Sequence, residues 1–230
     1  MKLKTLSIIL AAVVSQSVFA GGLQTMDMHS YSAKASKKYD HIKWVTVDQI
    51  KDSLPAQPLN IGLDIDDTIL FSSPVFYRGK QKYSPDSNDY LKNQAFWDEA
   101  STGWDEFSVP KKSAIELVTM HLKRGDTIYF ITGRTAPTGH ETLTETLRNL
   151  FPEEYRQQIQ PVVFANGLEK QKQIHNDHIS VFYGDADSDM TSAHQVGVEG
   201  IRFLRGAQST YTPLPHAGKY GEKVLVNSNY

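Results

Sequence analysis

Between residues 61 and 204, short apolar runs rich in β-branched and aromatic residues alternate with stretches of helical period. That alternation predicts an α/β fold, a parallel sheet covered by helices. The apolar runs place strands over 61–65, 127–131, 161–164, 179–183 and 200–204. Between the first two, Ser108 is set to cap a helix with Pro110 in its first turn, with Ile115, Val118 and Leu122 on one face and Gly125 as its stop. Leu143, Leu147 and Leu150 repeat the spacing before Pro152 breaks it, and a last helix over 188–196 ends at Gly197. The stretch 71–107 follows neither period and is rich in Pro, Ser, Asn, Gly and aromatics. It is too long for a passive connection, so it is expected to be an insertion with structure of its own or a lid over the active site. The apolar, tyrosine-containing tail 224–230 suits a subunit contact.

The N-terminus follows another pattern. Lys2 and Lys4 precede an apolar run over 6–14, too short for a stable membrane anchor, and Ser17, Val18, Phe19 and Ala20 end it as a cleavage site would. Residues 1–20 are therefore expected to be a secretory signal peptide, with 21–230 forming one catalytic domain behind a polar, Ser/Lys-rich arm that ends near residue 40. No later stretch is apolar enough to cross a membrane, so the mature protein is expected outside the cytoplasm and off the membrane. The net charge of −2, without a dense Lys/Arg block, disfavours nucleic-acid polymers and acidic membranes and favours small substrates. The absence of cysteine excludes disulfides, thiolate catalysis and thiolate metal sites.

Candidate chemistry gathers where strands end. Asp64, Asp66 and Asp67 lie in the run LDIDDT at the end of the first strand, where an open α/β sheet presents its ligand crevice. Alternate side chains share a face, so Asp64 and Asp66 can address one site. Crowded carboxylates raise one another's pKa or recruit a cation, with oxygen-seeking Mg²⁺ the usual one. Alone, the run also reads as an acidic turn with Asp67 capping a helix. The run YGDADSD after another strand changes that balance, because Asp185 then comes to the same sheet edge as a ligand, with Asp189 behind it at a helix start and Asp187 as ordinary loop. Thr132, Gly133 and Arg134 follow a third strand and offer a hydroxyl, backbone N–H groups and a planar fork to phosphate oxygens; a simple strand-to-helix turn explains the first two equally. Either Lys170 or Lys172 is placed to reach a phosphate and keep Asp64 charged, the other being solvated.

D-x-D-x-T on a strand, a strand ending in Thr-Gly, a lysine and G-D-x-x-x-D, in that order, resemble the motifs of the haloacid dehalogenase superfamily. More narrowly, Phe71 to Pro74 after LDIDDT, GWDEF at 103–107 and YGDADSD are similar to the class B acid phosphatases of the bacterial periplasm, a likeness that runs from about Trp44 to Tyr230. The resemblance implies a Rossmann-like core with a small cap, bound Mg²⁺, a homotetramer, and action on nucleotides and other organic monoesters, sometimes with phosphate transfer to alcohols. It implies Asp64 as nucleophile and Asp66 as general acid/base with its carbonyl on the metal. Asp185 would be the other protein ligand, Thr132 and Gly133 would hold phosphate, Lys170 would steady the phospho-aspartate, and Asp189 would support them. Phe76, Tyr90, Trp97 and Tyr211 would form an aromatic pocket for the leaving group.

The same aromatics, with Trp104, also suit the core of a small insertion. None of the eight histidines has a metal-pair spacing, and His121, His175 and His178 are expected at the surface. This disfavours a histidine-type phosphatase, as the second carboxylate, Asp66, disfavours a dehalogenase. A Mg²⁺- or phosphate-ester-binding protein without turnover remains the alternative of a different class.

Overall fold

The computed structural model describes residues 41–230. The expected signal peptide and the polar arm lie outside the described residues. All seven strands of the main sheet run parallel, in the order β1 (Lys43–Val45), β9 (Lys223–Leu225), β8 (Glu199–Arg202), β7 (Val181–Gly184), β2 (Asn60–Leu63), β5 (Thr127–Thr132) and β6 (Val163–Phe164). From β2 the chain steps outward through β5 to β6, then returns to the other flank of β2 at β7. That reversal opens the crevice in which α/β sheets bind ligands.

Strand alternation divides the interior in two. Ile61, Leu63, Ile128, Phe130, Val181 and Tyr183 point to one face, where α1 (Val47–Ser53), α4 (Lys112–Arg124) and α5 (Leu143–Arg148) cover them. Tyr129, Ile131 and Phe182 point to the other, against Ile174 of α6 (Gln171–Asn176) and Ala193 of α7 (Asp187–Gln195). A strand clothed on both faces must be apolar at nearly every position, which is why these segments read as unbroken apolar runs.

Several expectations are corrected. Ser108 does not cap a helix: Val109–Pro110 forms β4, antiparallel to β3 (Leu70–Phe71), and α4 starts after Lys111. Proline has a fixed φ and no N–H, so a two-residue ladder accepts it as readily as a helix start does. Within the tail 224–230, Val224 and Leu225 are buried in β9 between β1 and β8, whereas Tyr230 is exposed. Strand 161–164 shortens to its last two residues. Among the described residues no helix is long and apolar enough to cross a membrane.

The stretch between β3 and β4 does have structure of its own. It holds α2 (Ser73–Tyr83), α3 (Gln94–Ser101) and two short 3₁₀ turns, 89–92 and 104–107. Val75, Tyr90, Phe96, Trp97 and Ala100 form its core, with Phe76 and Trp104 packed against them. Phe96 is its centre, with Trp97 4.7 Å and Tyr90 5.0 Å away between ring centroids.

His121, expected at the surface, is fully buried on α4. Its Nδ1 lies 2.7 Å from Asp126 Oδ2 and its Nε2 2.9 Å from the Tyr183 hydroxyl. A carboxylate only accepts, so the ring is the Nδ1–H tautomer and the tyrosine donates to Nε2. Burial lowers the His121 pKa from 6.5 despite the opposing pull of Asp126. Near pH 6, ¹⁵N NMR is expected to report a smaller imidazolium fraction for His121 than for a free imidazole, with the neutral form protonated at Nδ1; an equal or larger fraction contradicts the assignment. Tyr183→Phe leaves Nε2 unpaired and is expected to cost about 1–3 kcal/mol in urea unfolding.

Candidate active site

Three neighbouring strand ends build the site. The ladder between β2 and β7 continues one residue further, with the Asp64 N–H donating to the Tyr183 carbonyl at 2.8 Å. Asp64 and Asp185 therefore leave adjacent parallel strands at the same edge. The chain then turns sharply: the N–H groups of Thr68, Ile69 and Leu70 all donate to the Ile65 carbonyl, and Asp67 takes a left-handed φ of 59°. No helix follows for Asp67 to cap; its carboxylate instead accepts from Ser209 Oγ at 2.6 Å. The turn brings the Thr68 hydroxyl between the two strand ends, 3.2 Å from Asp64 and 3.4 Å from Asp185.

Three cations each bridge two carboxylates. Lys170 Nζ donates to Asp64 and, at 2.8 Å, to Asp189. Arg134 forms two bonds with Asp66, at 2.9 and 2.7 Å, and two with Asp105, at 2.7 and 2.9 Å. Arg205 donates to Asp185 and stands 3.6 Å from Asp67. A fourth cation, Lys111, is buried beneath them and donates to the carbonyls of Asp67 and Leu204 at 2.6 and 2.9 Å. Burial pulls its pKa down to about 8.

These surroundings set the carboxylates apart. Burial, only partly offset by Lys170, and repulsion from Asp189, Asp185 and Asp66 raise Asp64 well above its usual range. Asp185 is pushed up to about 6 by burial, against the pull of Arg205. Burial also acts to raise Asp66, but the charge and hydrogen bonds of Arg134 prevail and its pKa is lowered.

The structure separates the alternatives that spacing left open. Lys170 is buried against Asp64, whereas Lys172 lies exposed on α6. Asp64, Asp66, Asp185, Asp189, Gly133, Arg134 and Lys170 line one cavity of about 490 Å³, and so do Phe76, Tyr90, Trp97 and Tyr211. The first three aromatics reach it from the insertion core, while Tyr211 is 49% exposed at its edge. Thr132 does not line the cavity; it is buried beneath, its hydroxyl accepting the Arg134 N–H at 3.2 Å. Arg134 lines the cavity with its guanidinium already held by two carboxylates. Asp187 heads α7 and pairs with Arg202 and Lys219.

Sequence reasoning assigned no role to Thr68, Asp105, Lys111 or Arg205. Thr68 stands in the quoted motif and Asp105 in GWDEF, but Asp185 and Arg134, the partners that give them their place, follow other strands. Lys111 and Arg205 carry no local signal, a cation at a helix start being disfavoured there by the dipole.

Carboxylate oxygens of Asp64, Asp185 and Asp189 lie within 4.8 Å of one another, all buried. Such an oxygen-only, negatively charged donor set fits a hard divalent cation. Each of the three also accepts from protein donors on both oxygens: Asp64 from Lys170 and Thr68, Asp185 from Arg205 and Thr68, Asp189 from Lys170 and, at 3.0 Å, the Ala186 N–H. Asp64 and Asp185, side by side at adjacent strand ends, would hold such an ion with Asp189 beside them.

A doubly wound parallel sheet with aspartates on two adjacent strand ends and a lysine on the first defines a hydrolase of the haloacid dehalogenase type. The chain belongs to the HAD superfamily, subfamily IIIB, the acid phosphatases, whose family model matches residues 12–214. A class B acid phosphatase from Morganella morganii is 49% identical over 82% of this chain and 81% of its own. One from Haemophilus parainfluenzae is 43% identical over 100% of this chain and 98% of its own. Among solved structures, a "predicted phosphoglycolate phosphatase" from Haemophilus somnus 129pt shares the fold, with a TM-score of 0.50, 12% identity and coverage of 77% and 97%. The protein is thus a phosphoric monoester hydrolase.

Gly184 generates a test of the lysine bridge. A Cβ there falls 2.3–2.5 Å from the Asp189 side chain, too close for a short side chain to accommodate without moving. Gly184→Ala is expected to push Asp189 off Lys170 and lower kcat/KM on the order of 10²-fold, the scale of an ångström's misplacement. Wild-type kinetics in the folded variant would remove Asp189 from the working site.

Proposed function

We propose that this acid phosphatase is an exported, Mg²⁺-dependent enzyme that cleaves organic phosphate monoesters, including nucleotides, aryl and sugar phosphates, through a phosphoryl group carried on Asp64. The observation that carries the reading is the meeting of the Asp64 and Asp185 carboxylates on adjacent strand ends with Lys170 bound to Asp64.

A monoester dianion repels an approaching carboxylate, so positive charge must precede attack. Lys170 supplies part of it. A Mg²⁺ held by Asp64, Asp185 and the Asp66 carbonyl would neutralise phosphate charge when bound. Phosphate oxygens would rest on the Gly133 backbone, while Thr132, buried beneath the cavity, would hold that turn through its hydroxyl, which accepts the Arg134 N–H. An Asp64 oxygen then bonds to phosphorus as the ester P–O bond breaks, and Asp66 passes its proton to the departing oxygen. In the second half, Asp66 takes a proton from water as that water bonds to phosphorus and the Asp64–phosphorus bond breaks. An alcohol in place of water gives phosphate transfer.

The aromatic wall supports substrates with flat leaving groups, since rings of this kind stack on any base face. Export to the periplasm is supported by the charged, apolar and small-residue order of the first twenty residues, and a homotetramer by the resemblance to class B enzymes.

Asp64→Asn is expected to lower turnover of p-nitrophenyl phosphate by at least about 10²-fold, and beryllium fluoride soaked into wild-type crystals with Mg²⁺ is expected to bond to Asp64. Full activity in that variant, or the fluoride on another carboxylate, ends the nucleophile assignment. Trp97→Ala is expected to reduce the preference for a nucleotide over an aliphatic phosphate; an unchanged ratio removes the stacking wall.

A further inference from the structure

We propose that Asp105 is a positioning residue for the phosphatase reaction, fixing through Arg134 the direction in which the Asp66 carboxyl faces the substrate. The inference rests on the proposed acid/base role of Asp66. Asp105 is 4% exposed, sits in the 3₁₀ turn 104–107 of the insertion and is not among the residues that line the cavity. Its action must therefore pass through another group.

Arg134 is that group, and its planarity carries the effect. A guanidinium that forms a two-bond fork with a carboxylate holds it in its own plane. Arg134 does so on both sides at once: Nη1 and Nη2 grip Asp105, while Nε and Nη2 grip Asp66. With Asp105 anchored by its turn and by the Ser108 hydroxyl at 3.3 Å, the plane of the guanidinium is set, and with it that of Asp66. Asp66 is the member that opens to the cavity, its side chain 24% exposed against 1% for Arg134 and 3% for Asp105. Stability alone is a poor account of this arrangement, because desolvating a buried guanidinium and two carboxylates costs free energy that apolar residues of equal volume avoid. Orientation is what the ionic version adds. The acid that protonates the leaving oxygen is thus aimed by a residue of the inserted segment.

A positioning role and a merely structural one part on the leaving group. An alkyl phosphate needs a proton delivered as its P–O bond breaks, whereas p-nitrophenyl phosphate releases a stable phenolate without one. Because kcat/KM covers steps only up to that cleavage, Asp105→Asn is expected to lower it about tenfold or more for an alkyl phosphate and less than about threefold for p-nitrophenyl phosphate. Asp66→Asn is expected to show the same selectivity more strongly, and the double variant no further loss, since both changes disable one device. Equal losses on the two substrates, or multiplicative losses in the double variant, overturn the positioning role. If Asp66→Asn shows the selectivity and Asp105→Asn does not, only the Asp105 role falls; if Asp66→Asn lacks it, the acid assignment falls and takes this role with it. Should Asp105→Asn not fold, Asp105→Glu keeps the charge but moves the fork by one methylene, and the same two substrates decide on it.

Discussion

The structure depends on gathering six aspartates around three cations whose side chains are buried. Like charges so close, out of water, would drive the strand ends apart or force protonation. The fold answers with cations that each lie between two carboxylates: Lys170 between Asp64 and Asp189, Arg134 between Asp66 and Asp105, Arg205 between Asp185 and Asp67. In each pair one carboxylate belongs to the proposed chemistry and the other lies behind the cation or beside it. Even with Lys111 beneath them, four positive charges do not balance six negative ones, and the remainder would attract a dication. Burial, with carboxylate repulsion added, raises Asp64 and Asp185, while at Asp66, in the most complete pairing, Arg134 overrides burial and the pKa is lowered.

This arrangement also ties the insertion to the core. Arg134 opens the loop after β5 and reaches Asp105, and further along Asp98 of α3 accepts the Thr138 N–H at 2.7 Å and its hydroxyl at 2.8 Å. The Thr142 N–H then donates to the Ser101 carbonyl at 2.9 Å. A segment held at three points by polar bonds and filled by its own aromatic core is a preformed wall. Phe76, Tyr90 and Trp97 consequently serve twice, as packing for Phe96 and as lining for the cavity. The two explanations open to a sequence reader were therefore not exclusive.

Legibility followed the range of the interactions. The central strands were readable because burial on both faces demands apolar residues throughout, and the aspartates because they punctuate those runs. β1 and β9 were not, since three-residue strands from opposite ends of the described chain carry no local pattern and form only by long-range pairing, β1 with β9 and β9 with β8. Some misses had a signal. His121 lies four residues after the buried Leu117 and seven after the buried Ala114, on the inner face of α4, so its helical position already argued against the surface. Lys170 likewise precedes the buried Ile174 by four residues, which sets it on the inner side and Lys172 on the outer. Asp105 and Arg205 had none, because what marks them is the partner they meet across the fold.

The protein's own charges order the two proposed catalytic carboxylates against their roles. A nucleophile is needed ionised, yet burial raises Asp64; an acid is needed protonated, yet Arg134 lowers Asp66. Each shift is opposed by a charge that belongs to the reaction. Positive charge beside Asp64 and Asp185 favours their ionised forms, and the negative charge of a phosphate ester beside Asp66 favours its protonated one. The pKa order that chemistry requires is thus assigned by what the site binds, and the protein supplies the geometry in which those charges act. A clamp that keeps Asp66 in place while leaving its protonation to the substrate suits that division, because orientation can be built into a fold whereas the proton must be exchanged on every turnover.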